Sequence, residues 1–72
     1  MDTDLKIGIA GYGVVGKIRR KIIDSIPGLK IVAISDKNPK NKISSKEIKF
    51  FDSYNKLFNE NLDILFISLP NK

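Results

Sequence analysis

The chain of 72 residues has no cysteine, no histidine and no tryptophan. Without cysteine, a disulfide framework and a thiolate metal site are excluded. Without histidine, the commonest metal ligand and the commonest acid–base group near neutral pH are missing. No apolar run approaches the roughly 18 residues of a membrane span, and no signal-peptide pattern opens the chain. A cytoplasmic chain with no membrane partner is therefore expected. Acidic residues are few: 8 Asp and Glu stand against 13 Lys and Arg, for a net charge of +5. The cations do not gather with aromatics. Lys37, Lys40, Lys42, Lys46 and Lys49 are spread along one polar segment and the others are scattered, which describes a solvated surface and no nucleic-acid partner. The length allows one small domain, 1–72, which buries roughly 60% of its unfolded surface and is marginally stable.

What is present is an alternation of short apolar segments. "LKIGIA", residues 5–10, reads as a strand, with Ile7 and Ile9 alternating with Lys6 and Gly8. From about Val14 to Ile26, the residues Val15, Ile18, Ile22 and Ile26 recur at spacings of three and four, one stripe of a helix, which Ile23 widens. Arg19, Arg20 and Asp24 fall on its other side. Pro27-Gly28 ends it. "LKIVAIS", 29–35, is continuously apolar, as a parallel strand covered on both faces is. Asp36 closes it. The polar stretch 37–46 predicts a loop with at most one helical turn after Asn38-Pro39. "EIKFF", 47–51, predicts a third strand. Ser53 can cap a short helix over 54–60 that buries Leu57 and Phe58. "DILFISL", 63–69, predicts a buried fourth strand, stopped by Pro70-Asn71. This order predicts an α/β, Rossmann-type parallel sheet of about four strands in order 3-2-1-4, one partial half of a doubly wound fold.

The turn between the first strand and the helix carries the chemistry. Gly11-Tyr12-Gly13-Val14-Val15-Gly16 fits G-x-G-x-x-G. The first glycine allows the sharp turn, the second lets a pyrophosphate approach the backbone, and the third lets the helix pack close to the sheet. Open amides from about Gly13 to Val15, aided by the helix dipole, then face the anion. Asp36 lies 20 residues after Gly16, where a carboxylate can accept the ribose hydroxyls of an adenosine. It would repel a 2′-phosphate, which favours NAD over NADP; Lys37 beside it could tolerate that phosphate. Lys17 in the first helical turn either accompanies a phosphate or faces solvent. Tyr12 either covers the phosphates or points to solvent.

"KIGIAGYGVVGK", "LKIVAISDKNP" and "FFDSYNKLFNENLDILFISLPNK" together resemble the N-terminal segment of the glucose-fructose oxidoreductase/inositol dehydrogenase (Gfo/Idh/MocA) family. The resemblance covers nearly the whole chain. It implies that Gly11, Gly13, Gly16 and Asp36 contact a nicotinamide dinucleotide, and that Ser68, Leu69, Pro70 and Asn71 form the wall of the cofactor cleft. It also implies oxidation or reduction of a sugar, inositol or related compound at a hydroxyl-bearing carbon. The family's catalytic lysine, in a Glu-Lys-Pro segment, and its histidine and acid have no counterpart here. The chain is thus expected to be the first segment of a longer protein, inactive alone. Ile64, Phe66 and Ile67 would be left exposed on an uncovered sheet face, a route to a homo-oligomer. A small regulatory module sensing an adenine nucleotide without catalysis is the other reading, and an assembly module with a purely structural glycine turn is a third.

Overall fold

The computed structural model describes residues 4–68. Strand β1, Leu5–Ala10, leads through the glycine turn into helix α1, Val14–Asp24; β2 is Leu29–Ser35, β3 is Lys49–Phe51 and β4 is Ile64–Ile67. All neighbouring pairs are parallel, and the spatial order is β3-β2-β1-β4. The expected Rossmann-like arrangement is therefore present.

The two faces of the sheet are covered unequally. On one, Ile7, Ile9, Ile31 and Ile34 pack with Tyr12 and with Ile23 of α1. On the other, Ala10 and Ala33 pack with Leu57, supported by Val32, Phe51, Leu62 and Leu65. A β-bulge produces this allocation. Ile7 pairs with Ile31 but Gly8 pairs with Ala33, which leaves Val32 unmatched. The extra residue puts Ile31 and Ile34 on the same face although they are three apart, where simple alternation would separate them.

Helix α1 is turned differently from the expected orientation. Its sheet-facing residues are Gly16 and Ile23. Val15, Ile18, Ile22 and Ile26, the predicted stripe, are 57%, 53%, 56% and 43% exposed. Arg19 and Arg20, expected on the solvent side, are half-buried. The cause is Gly16. A Cβ built there would lie 2.1 Å from the Gly11 carbonyl oxygen, so the helix and the turn touch backbone to backbone at this point. The closest approach selects the glycine face, and the larger apolar residues are rotated aside. Arg19 lays its guanidinium over the Phe66 ring, 5.0 Å from its centroid, so Phe66 is half-buried while Ile64 and Ile67 are exposed.

The helix also stops two residues short of Ile26. Ser25 caps it, its N–H and hydroxyl both donating to the Ile22 carbonyl. Gly28 then turns the chain with φ of 89°. The polar stretch forms one 3₁₀ turn, Pro39–Asn41, capped by the Asn38 side chain, which accepts from the Lys40 N–H. The predicted short helix is a 3₁₀ helix, Tyr54–Asn59, capped by Ser53. Leu57 is fully buried, but Phe58 is 63% exposed, contrary to expectation. With three residues per turn, adjacent side chains diverge by about 120°, so burying Leu57 turns Phe58 outward against Tyr54, at 6.2 Å between rings. The third and fourth strands are shorter than predicted, and β4 lies at the sheet edge instead of being buried.

Candidate dinucleotide site

The glycine turn and Asp36 meet at the carboxyl end of the sheet, where open α/β sheets bind ligands. Gly11 leaves β1 with φ of 98°, a left-handed conformation that disfavours any side chain. Its N–H donates to the Ser35 carbonyl at 2.8 Å, which ties the turn to the end of β2. Gly13 is the N-cap of α1, with no side-chain cap on the first turn. The first helical bond from it runs from the Lys17 N–H to the Gly13 carbonyl at 2.9 Å. The preceding N–H groups are the orphan donors of a helix start. A Cβ at Gly13 would meet nothing within 4 Å, so the protein leaves open space at the residue that caps the helix. The first turn also has no acidic residue to compete with an anion. Val14 and Val15 are exposed beside this opening, and Gly16 is buried beneath it.

Asp36 is connected to both sides of the corner. Its Oδ2 accepts the Tyr12 N–H at 2.6 Å and the Asn41 Nδ2–H at 3.1 Å; its Oδ1 accepts the Asn38 N–H at 2.7 Å. Burial pushes the Asp36 pKa up. The Asn38 and Tyr12 amides, the Asn41 carboxamide and the charge of Lys17 together outweigh it and hold the carboxyl below its ordinary value. The group is an anion at neutral pH, with acceptor capacity only.

The Tyr12 side chain does not point to solvent. It is 7% exposed and belongs to the core on the α1 face. Its hydroxyl accepts from Arg20 Nη1 at 2.9 Å, a bond that raises the Arg20 pKa. Lys17 and Arg20 lie 5.8 Å and 6.0 Å from the ring centroid. Tyr12 thus contributes its backbone to the site and its side chain to the core. A shallow recess of about 550 Å³ runs along this flank, lined by Tyr12, Lys17, Arg20 and Lys21 among others. Lys17 and Lys37 are both exposed.

Ser68 follows β4, and its N–H donates to the Ala10 carbonyl at 2.7 Å. Its hydroxyl oxygen and that of Ser35 are buried without a hydrogen-bond partner. Both sit at the carboxyl ends of strands. Leu69, Pro70 and Asn71, the rest of the expected cleft wall, lie outside the described residues. Ser35, Asn38, Asn41 and Arg20 were not found by sequence reasoning. Asn38 and Asn41 had a signal, being amides two and five residues beyond the acid. Arg20 had none, because its position depends on how α1 is rotated.

Among the described residues, no group of three or more His, Cys, Asp or Glu could hold a metal ion, and no helix is long and apolar enough to cross a membrane. Comparison with protein-family models finds no match. A search of curated proteins likewise finds none.

Proposed function

We propose that the chain is the dinucleotide-binding portion of an NAD-dependent oxidoreductase acting on a sugar, inositol or related hydroxyl compound. The observation that carries this reading is the 2.6 Å bond between the Asp36 carboxylate and the Tyr12 amide. It brings the acid ending β2 and the glycine turn opening α1 to one corner, the two halves of an adenosine-diphosphate grip. The residues fit the cofactor: Gly13 leaves space, the first-turn amides are open, and Asp36 carries a negative charge and further lone-pair capacity. Gly13, Val14 and Val15 would hold the pyrophosphate through their amides, Asp36 would take the ribose hydroxyls, and Ser68 would stand at the cleft wall. The nicotinamide, when bound, supplies the hydride chemistry. This chain's part is to bind, orient and discriminate. A carboxylate at the ribose opposes a 2′-phosphate, so NAD is preferred over NADP. The exposed Ile64 and Ile67 of β4 and the apolar stripe of α1 together favour self-association as a homo-oligomer. Neither nucleic acid nor membrane is a proposed partner, and a cytoplasmic location goes with that.

The test is a titration of NAD and NADP into the isotope-labelled chain, followed by amide NMR shifts. Saturable shifts at Gly11–Gly16 and Asp36, at lower concentration with NAD, are expected. A well-dispersed spectrum indifferent to both nucleotides overturns the reading. Equal response to NAD, ADP and ATP transfers it to an adenine-nucleotide sensor.

A further inference from the structure

The Asp36 carboxylate has about four lone-pair sites. Three donors already use them: the Tyr12 amide, the Asn38 amide and the Asn41 carboxamide. One site on Oδ1 remains. A ribose diol gripped by both hydroxyls needs two, so one internal donor must withdraw. The Tyr12 and Asn38 donors are main-chain groups, held by the glycine turn and by the 3₁₀ cap, with bonds of 2.6 and 2.7 Å. The Asn41 donor is on a rotatable side chain, at 3.1 Å, the longest of the set. Asn41 is also the last residue of the Pro39–Asn41 turn, with its own N–H already satisfied by the Asn38 carbonyl at 2.9 Å. Its side chain can swing out while its backbone stays in place.

We infer that Asn41 is a stand-in for a ribose hydroxyl, an internal competitor that occupies Asp36 until a nucleotide displaces it. This inference rests on the dinucleotide reading and deepens it: Asn41 sets the affinity threshold of the ribose site. The effect is selective. A nucleotide whose adenosine ribose has two hydroxyls must evict Asn41, whereas one with a single hydroxyl can use the vacant Oδ1 site and leave Asn41 in place. The removed competitor is held by one half-buried bond of 3.1 Å, longer than a charge-assisted pair and so of ordinary strength, and its loss should tighten binding of the diol by about three- to tenfold.

The experiment compares the wild-type chain with Asn41→Ala and Asn41→Leu, the second keeping the bulk without a donor. Each is titrated with NAD and with the NAD analogue lacking the 2′-hydroxyl on the adenosine ribose, and dissociation constants are read from amide shifts. Both variants should bind NAD about three- to tenfold more tightly than wild type and bind the analogue within about twofold of it. Unchanged or weaker NAD binding in both variants, with wild type binding NAD normally, overturns the role of Asn41 alone. Equal tightening for NAD and analogue also overturns it, since a merely loosened loop would act that way. If neither wild type nor variants bind NAD, the dinucleotide reading fails and this inference fails with it.

Discussion

Replacing Gly16 with alanine adds one methyl group where α1 and the glycine turn meet backbone to backbone. The new Cβ would stand 2.1 Å from the Gly11 carbonyl oxygen, where real contacts essentially never fall under 3.0 Å. Neither partner is a flexible side-chain end, so α1 must back away by about 1 Å, enough to forfeit a quarter to a half of the van der Waals contact across the gap. Ile23, 3% exposed, is the apolar anchor that loses most, at about 1 kcal/mol of its burial. Overpacking strain adds about 1–3 kcal/mol. The better helix propensity of alanine returns about 1 kcal/mol. The net loss is about 1–3 kcal/mol, a large part of what so small a domain holds. Urea unfolding followed by circular dichroism would read it as a midpoint lowered by about 1–3 M, for a slope of about 1 kcal/mol/M. Gly13→Ala is the control: its Cβ meets nothing within 4 Å, its φ is −82°, and its cost should stay under about 1 kcal/mol. If Gly16→Ala unfolds at the wild-type midpoint, the backbone contact does not set the helix orientation and the account of α1 is wrong.

Three further outcomes follow from the same geometry. Asp36→Asn should flatten the acid limb of stability. The folded carboxyl titrates below its unfolded value of about 3.9, so its contribution is present above that pH and lost as pH falls through the folded pKa. Asp52, also held low by its bond with Lys56, keeps titrating, so the limb becomes shallower without vanishing; an unchanged limb in a urea series from pH 6 to pH 2 would refute the carboxylate's role. Ile22→Lys should alter monomer stability by no more than about 0.5 kcal/mol, because Ile22 is 56% exposed, and it should reduce self-association in sedimentation velocity; a loss of several kcal/mol would mean that the stripe is buried after all. Leu57→Ala should cost about 2–5 kcal/mol and Phe58→Ser about 0.5 kcal/mol or less, a contrast readable by thermal melts and reversed if the 3₁₀ helix were rotated by one residue.

The sequence by itself determined which segments are strands and which is a helix. Alternation at Ile7 and Ile9, the glycine turn, Pro27-Gly28, Ser53 and the unbroken apolar run 29–35 are local signals, and each acts through the backbone of its own neighbourhood. The corner formed by Gly11, Gly13, Gly16 and Asp36 was legible for the same reason, since its parts are tied to element ends. The tertiary structure alone decided which way those elements face. The apolar stripe Val15, Ile18, Ile22 and Ile26 has the period of a buried face, yet the contact between Gly16 and the Gly11 carbonyl turns it to the side. The unmatched Val32 brings Ile31 and Ile34 to one face of β2. Tyr12 packs into the core with its hydroxyl on Arg20, and Asn41 closes on Asp36 across a turn. Periodicity records where side chains lie relative to one another along a helix or strand. Its rotation against a neighbour is set by the closest backbone approach, and that exists only once two distant segments have met.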